Sequence, residues 1–232
     1  MKVPKILLKP AEKILEILAK VAPIRIKRIR ELYYWKYMKE GEKDLSSKHY
    51  QEFFTSHFDL NKEFYINKKI LDIGCGPRGS LEWADMVSER IGLDCLANEY
   101  LKLGADKHKM AYVNAPAEKI PFDEDYFDVV SSFNSLDHVD DIDNTIKEIK
   151  RVLKPKGIFL LITDVNHEPT VTEPLTFSWD IINEFEPEFE KIEEKHYEKQ
   201  NGIYKSIREN KIYDHKDLTK RPGVLSVRFK KK

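Results

Sequence analysis

Residues 70–80 read ILDIGCGPRGS, and the rest of the chain takes its meaning from this stretch. An apolar run of Ile70, Leu71 and Ile73 breaks into three glycines, Gly74, Gly76 and Gly79, and a helix-compatible run, SLEWADMVSER, follows. The order strand, tight turn, helix makes a nucleotide pocket. Glycines suit such a turn because its backbone angles are costly for a residue with a Cβ, and because a ligand there lies almost on the main chain. The same three glycines spell the GxGxxG of dinucleotide binders, so spacing alone leaves two kinds of ligand open. Asp72 weighs between them. A carboxylate just before the glycines repels a pyrophosphate but suits a ligand with a cationic amino group, a sulfonium and no phosphate.

Further along, the apolar segment IGLD ends in Asp94, about 20 residues beyond the glycine turn, the spacing of a ribose-binding acid in a Rossmann-like unit. LANEYLKLG reads as a short helix closed by Gly104. Residues 110–114 form a weak third strand and 127–133 a fourth. DIDNTIKEIKRVL, from Asp141, is an amphipathic helix ended by Pro155 and Gly157. Residues 158–163 are nearly all apolar, as a strand buried on both faces should be. A helix near 178–185 and extended segments at 189–197 and 224–230 complete the pattern. Strands alternating with helices predict a parallel sheet covered on both sides. The polar stretch 200–222 is long enough for a functional insertion or a mobile loop.

These residues resemble a known family. DIGCG after an apolar strand resembles the first motif of class I S-adenosylmethionine-dependent methyltransferases of the type 11-like kind, and Asp94 stands where that family keeps its ribose acid. AEKIPFDEDYFDVVSSFNSLDHVDD and RVLKPKGIFLL resemble its adenine-side, fourth-strand and fifth-strand motifs, so the likeness covers about residues 68–163. CGPRGSLEW and NHEPTVTEP also resemble an uncharacterised bacterial and archaeal branch. The resemblance implies an α/β, Rossmann-like sheet, mostly parallel with an antiparallel C-terminal hairpin and helices on both faces. Residues 1–67 would add an N-terminal helical cap, and residues 68–232 would bind S-adenosylmethionine. The family often places an acid two residues before the position of Glu118 to take the adenine amino group. Pro116 stands there, leaving the backbone at Ala117, or Glu118 itself, for that contact.

Forty basic and forty acidic residues leave no net charge, so no global field points to an obligate nucleic-acid partner. The distribution is uneven: residues 1–39 hold eleven Lys or Arg against three Glu. Residues 10–21 have the spacing of an amphipathic helix, and after Pro23 the run IRIKRIRELYYWKYMKE sets Arg25, Lys27, Arg28 and Arg30 before Tyr33, Tyr34, Trp35 and Tyr37. Such a segment packs on the domain, closes over a site as a lid, or touches an anionic membrane surface from outside. No stretch approaches the roughly 20 apolar residues of a membrane span. The two cysteines, Cys75 and Cys95, have no metal-ligand spacing, and a reduced cytoplasmic setting is expected. Oligomeric state is not legible.

In an open parallel sheet, ligands bind beyond the carboxyl ends of the strands. Asp72 there would organise the methionine end of the cofactor, or merely cap the glycine turn. Asp94 would accept both ribose hydroxyls, or N-cap the helix that follows. Gly74, Cys75, Gly76, Gly79, Ala117, Glu118 and Asn134 complete the expected cofactor set. His138 is the candidate base, oriented by Asp137 or Asp141, and Asn134 the candidate facing the methyl group. Past the fifth strand, NHEPTVTEP packs polar groups between two prolines; His167, Glu168, Thr170 and Glu173, with Trp35 from the N-terminal segment, are the expected acceptor contacts. His138, His167, Glu168 and Glu173 lack a diagnostic metal-ligand spacing, so no metal is expected. The implied activity is methyl transfer to an oxygen or nitrogen of a small-molecule or lipid-linked acceptor. A nicotinamide-dependent oxidoreductase and a non-catalytic cofactor-binding module are the rival readings.

Overall fold

The computed structural model describes residues 23–42, 45 and 47–232. The amphipathic pattern at 10–21 lies outside the described residues. Helix α1, Pro23–Glu42, starts with proline, whose missing N–H costs nothing in a first helical turn. A short helix α2, Tyr50–Phe54, and two single turns lead to the sheet.

The sheet has seven strands in the order β3-β2-β1-β4-β5-β7-β6. They are β1 Lys69–Ile73, β2 Glu89–Asp94, β3 Ala111–Asn114, β4 Phe127–Phe133, β5 Leu153–Val165, β6 Phe189–Glu198 and β7 Gly223–Lys231. The first five run parallel. β7 inserts antiparallel between β5 and β6, so the last two strands make the expected edge hairpin. α3, Ala97–Lys102, ends as expected at Gly104, whose φ of 107° lies in the left-handed region. α4, Ile142–Val152, begins under Asp141, whose side chain accepts from the Asn144 N–H.

The two-residue period of the strands divides the core into two layers. Leu71, Ile73, Val130, Phe159, Leu161 and Val165 face α4 and the turn of 3₁₀ helix at Trp179–Phe185. Ile70, Val129, Phe133, Leu160 and Ile162 face the other way, onto Phe53, Phe54, Phe58 and Tyr65. Asp72 shares the parity of Ile70 and therefore points into this aromatic layer.

The run SLEWADMVSER forms no helix; it crosses from β1 to β2 as successive turns. The reason is length and anchoring. Only nine residues separate Gly79 from β2, short of the dozen or so that a helical crossover takes, and Leu81 and Ala84 are drawn into the core. The face a crossover helix would cover is covered instead by the aromatic segment upstream. Phe54 packs 5.5 Å from Trp83 and 4.6 Å from Phe133, ring centre to ring centre. Part of the sequence assigned to the N-terminal cap thus shares its core with the strands. β5 is longer than the apolar run alone indicates: it starts at Leu153, directly after α4, pairs there with Phe127, and continues past a bulge. The stretch 200–222 includes a helix, α5, Ile203–Glu209, and is tied to β6 by Tyr213 N–H to His196 O and by Arg221 to Glu198.

Because Phe54 is fully buried between Trp83 and Phe133, Phe54→Ala should destabilise the whole domain by about 3–5 kcal/mol, the cost of a large aromatic-to-alanine cavity. A urea midpoint shift corresponding to less than about 1 kcal/mol would mean that the aromatic segment is a detachable cover.

Candidate functional site

The strand order reverses direction between β1 and β4, and a cavity of about 940 Å³ opens beyond their carboxyl ends. That volume lies within the roughly 300–1,000 Å³ of small-molecule and cofactor pockets. Its floor is the glycine turn, Gly74 to Gly76, with Asp94 at the end of β2. One wall comes from Ala115 to Glu118, another from Asn134, Ser135 and His138 after β4, with Thr172 and Glu173 beyond them. α1 forms the roof through Lys27, Arg28, Glu31, Tyr34 and Trp35, and Tyr204 of α5 closes the side.

Each wall has a local cause. Gly74 has a φ of 68°, and a Cβ there would stand 2.2 Å from the Ser135 Cβ, so glycine lets the loop after β4 lie against the end of β1. Ser135 Oγ donates to Ile73 O at 2.7 Å. A Cβ on Gly76 would meet the Trp35 ring at 3.2 Å, so the roof rests almost on the turn. The roof is held at both ends. Lys27 Nζ donates to His138 O at 2.7 Å and pairs with Asp140, while Glu42 makes a two-point pair with Arg78 at 2.8 and 2.7 Å. Trp35 Nε1 donates to Glu31 Oε1 at 2.8 Å, and the Trp35 ring meets Tyr100 edge-on at 6.4 Å.

Of the residues expected to bind the cofactor, the cavity gathers Gly74, Cys75, Gly76, Asp94, Ala117, Glu118 and Asn134. Asp72 and Gly79 are not among its lining residues. Asp72 is buried beneath the turn, where its carboxylate accepts from Ser80 Oγ and from Ser131 Oγ at 2.6 Å. Gly79 belongs to a turn packed on His108 and Tyr112, whose hydroxyl accepts from the Gly79 N–H at 3.1 Å. Glu118 anchors the loop ahead of α4, accepting from the N–H groups of Asp140 at 2.6 Å and Asp141 at 3.0 Å. On the acceptor side the cavity takes Trp35, His138 and Glu173; His167, Glu168 and Thr170 lie outside its lining. Glu31, Tyr34, Tyr50 and Tyr204 are cavity residues that motif reading missed. Glu31 was readable only as an acid set between the basic run and the aromatic cluster of its helix.

Burial sets the electrostatics. It pushes Asp94 up to about 6, against the pull of the Leu96 and Gly76 N–H groups; Asp72 raises it further and Arg28 lowers it. Burial likewise pushes Glu31 up to about 7. His138 is pushed down to about 4 by burial, with Lys27 and His167 adding to the effect, so its ring is neutral at physiological pH.

The geometry fits S-adenosylmethionine by donor chemistry. Asp94 accepts one backbone N–H on each oxygen, Gly76 at 3.2 Å on Oδ2 and Leu96 at 2.9 Å on Oδ1, which fixes the carboxylate and leaves lone pairs on both oxygens for a ribose diol. Behind the glycine turn there is no helix N-terminus to hold a pyrophosphate, because residues 80–88 form turns.

Residues 71–161 match a methyltransferase-domain family. Over 195 residues the chain is 29% identical to an uncharacterised protein of Methanocaldococcus jannaschii, covering 81% of this chain and 67% of that one. Over 113 residues it is 34% identical to a sterol 4-C-methyltransferase of Caenorhabditis elegans, but this spans 45% of the chain and only 34% of the nematode enzyme. The fold is also that of an S-adenosylmethionine-dependent methyltransferase structure from Mesorhizobium loti, with a TM-score of 0.54 at 18% identity, over 72% of this chain and 92% of that one.

Cofactor affinity should follow the ionisation of Asp94. If its charged form accepts a ribose diol, binding is linked to loss of its proton and should weaken as pH falls through about 6, by up to tenfold per unit. Calorimetry with S-adenosylmethionine from pH 5 to pH 8 checks this, with Asp94→Asn expected to flatten the low-pH limb. An affinity independent of pH in the parent protein would show that the diol is not held by this carboxylate.

Proposed function

The chain belongs to the class I S-adenosylmethionine-dependent methyltransferases, and we propose that it transfers the cofactor's methyl group to an oxygen or nitrogen of a small-molecule or lipid-linked acceptor. The observation that carries this reading is the single roofed cavity, which joins the Asp94 and glycine-turn side to the Asn134, His138 and Glu173 side. A displacement at a sulfonium needs donor and acceptor held in line, and a site that supplies this can contribute several kcal/mol by alignment alone. In this reading Asp94 holds the ribose, and the backbone of Gly74, Cys75 and Gly76 lies along the methionine portion. Asp72 stiffens the turn from below, through Ser80 and Ser131, without touching the ligand. Ala117 and Glu118 border the adenine, with Glu118 also fixing the loop before α4.

Asn134 and His138 are assigned the positions nearest the transferred methyl group. Trp35, Glu173 and the Thr172 edge of the polar loop contact the acceptor, and His167, Glu168 and Thr170 shape that loop from behind. A lipid-linked acceptor is in keeping with the aromatic roof and with the sterol named for one relative. No helix among the described residues is long and apolar enough to cross a membrane. The working place we propose is the cytoplasm, with α1 touching an anionic membrane surface. The outer face of α1 presents Ile29, Tyr33 and Tyr37, the last two 74% and 62% exposed, with Arg25 exposed on the same helix.

Two measurements test these assignments. S-adenosylmethionine and its demethylated product should each raise the melting temperature by mass action, by about 2.7 kcal/mol of added stability at a hundredfold excess over Kd, while NAD should not. Asp94→Ala should weaken that binding by about 2–4 kcal/mol, for two hydrogen bonds to a charged acceptor. His138→Ala should keep the thermal shift while losing turnover. A shift with NAD alone would overturn the assignment. Separately, the full chain should sediment with anionic vesicles at low salt and be released as salt screens its Lys and Arg, at about 1 kcal/mol each. No sedimentation at low salt would remove the membrane contact and leave α1 as a roof only.

A further inference from the structure

Below the acceptor side of the cavity lies a cluster whose polar atoms have nothing to bond to. Asp137 follows β4 and is fully buried, yet neither of its carboxylate oxygens has a hydrogen-bond partner. The Nε2 atoms of His138 and His167 are buried and equally unpartnered. These atoms face one another: His167 Nε2 is 3.5 Å from Asp137 Oδ2, and His138 Nε2 is 4.0 Å from Asp137 Oδ1 and 3.8 Å from Glu173 Oε1. An unpaired buried carboxylate costs several kcal/mol, so one set beside two imidazoles needs positive charge among them, from protons or from a metal ion.

The tautomer of His167 sharpens the point. Its Nδ1 lies 2.9 Å from the backbone oxygen of Glu168, and a carbonyl only accepts, so Nδ1 carries the proton. In the neutral ring, Nε2 then bears a lone pair aimed at a carboxylate. With the ring neutral and the carboxylate ionised, two acceptors confront each other across 3.5 Å, a gap that a cation can bridge. A second-shell carbonyl on Nδ1 that frees Nε2 is also how metal-binding histidines are oriented.

We propose that Asp137, His138, His167 and Glu173 bind a divalent transition-metal ion. The donors of Asp137, His138 and Glu173 all lie within 4.8 Å of one another. Bonds of about 2.0–2.2 Å allow two donors on one ion to stand up to about 4.2 Å apart; the three pairs above meet that limit, and closing the site takes a contraction that brings His167, which stands outside the 4.8 Å group, in toward His138 and Glu173. Glu173, on the cavity side and the most exposed of the four, has room to supply it. Two imidazole nitrogens and two carboxylates suit zinc, iron(II), manganese or cobalt; magnesium and calcium prefer oxygen alone. Two carboxylates and two neutral rings also balance a divalent charge. His138 and Glu173 line the cavity, so the open side of the ion faces the acceptor space. Sequence spacing gave no sign of this, because the buried ligand, Asp137, sits beside His138 in sequence and meets His167 only through the pairing of β4 with β5. The binding of the ion is independent of which acceptor is methylated.

The test uses the full chain, stripped with a chelator and then loaded with zinc or cobalt(II). Mass spectrometry of the gel-filtered protein should find one zinc per chain, and cobalt should give the visible absorption of a low-coordinate site. His167→Gln and Asp137→Asn should each weaken binding by more than about 100-fold, since loss of even an outer-shell partner costs 10–100-fold. Retained binding of S-adenosylhomocysteine certifies that each variant is folded; if Asp137→Asn is not, His167→Gln on the loop decides. His196 and His215 form a separate pair, 2.7 Å apart, so His215→Gln is the control and should leave the metal in place. The proposal is overturned if the parent chain retains no zinc and gives no cobalt spectrum, leaving the cluster to be satisfied by protons and water. It is equally overturned if binding survives in His167→Gln or is abolished by His215→Gln.

Discussion

The missing Cβ of Gly74 is the constraint on which the site depends. It lets Ser135 press against the end of β1 at a distance that any other residue would occupy with its own side chain. From that contact Ser135 reaches Ile73 O and pairs with Ser132, so the first turn after β4 is fixed to the strand beside it. Asn134 takes the strain of the reversal: its φ is 55°, a left-handed angle that asparagine tolerates better than most residues, and its N–H is held by Ile162 O at 2.7 Å. Asp137 and His138 follow one turn later. The glycine commonly explained by a ligand's approach is thus needed first by the protein itself, and the direction of His138 is inherited from it.

The roof depends on the same loop. Lys27 caps the carbonyl of His138 and pairs with Asp140, and its side chain is only 11% exposed, so this contact is less screened than a surface ion pair. At the other end Arg78, from the turn itself, holds Glu42. A movement of α1 must therefore break contacts with both the glycine turn and the loop after β4, two elements that line the cavity. Opening of the roof and loosening of the transfer site are one event, which is the expected behaviour of a lid that admits ligands and excludes water while they react.

How far the sequence foretold this varies with the kind of signal. The central strands β1, β4 and β5 were legible because burial on both faces leaves nearly continuous apolar runs, and α4 because its apolar period is clear and Asp141 caps it. The helix expected after Gly79 was not formed, since the composition of SLEWADMVSER is helix-compatible while the distance it spans is not. Its replacement by Phe53, Phe54, Phe58 and Tyr65 depends on contacts between distant segments, which no local pattern encodes. Asp94 could be placed in the cavity from sequence because it ends an apolar segment at a fixed spacing from the glycines. Glu31 was hidden, because on a helix rich in Lys, Arg and Tyr one acid has no periodicity of its own; only the fold shows that it turns inward beside Trp35.

Asp72 shows how a sound electrostatic argument attaches to a different atom in the folded chain. A carboxylate before the glycine turn was read as the group that turns away a pyrophosphate, but strand parity sends Asp72 into the aromatic layer, where Ser80 and Ser131 hold it. Burial raises it to about 6, so near neutrality it carries charge at a cost to stability, offset in part by the two hydroxyls. The cavity carboxylates raised by desolvation are instead Asp94 on the floor and Glu31 in the roof, in a lining that also carries Lys27, Arg28, Arg30, Arg78 and Arg208. A cationic sulfonium or ammonium entering between them would favour their charged forms, and the glycine turn offers a pyrophosphate no helix N-terminus. What favours a cationic ligand without phosphate is therefore shared between the glycine turn, which lacks a helix behind it, and the two raised carboxylates at the strand end and in the roof.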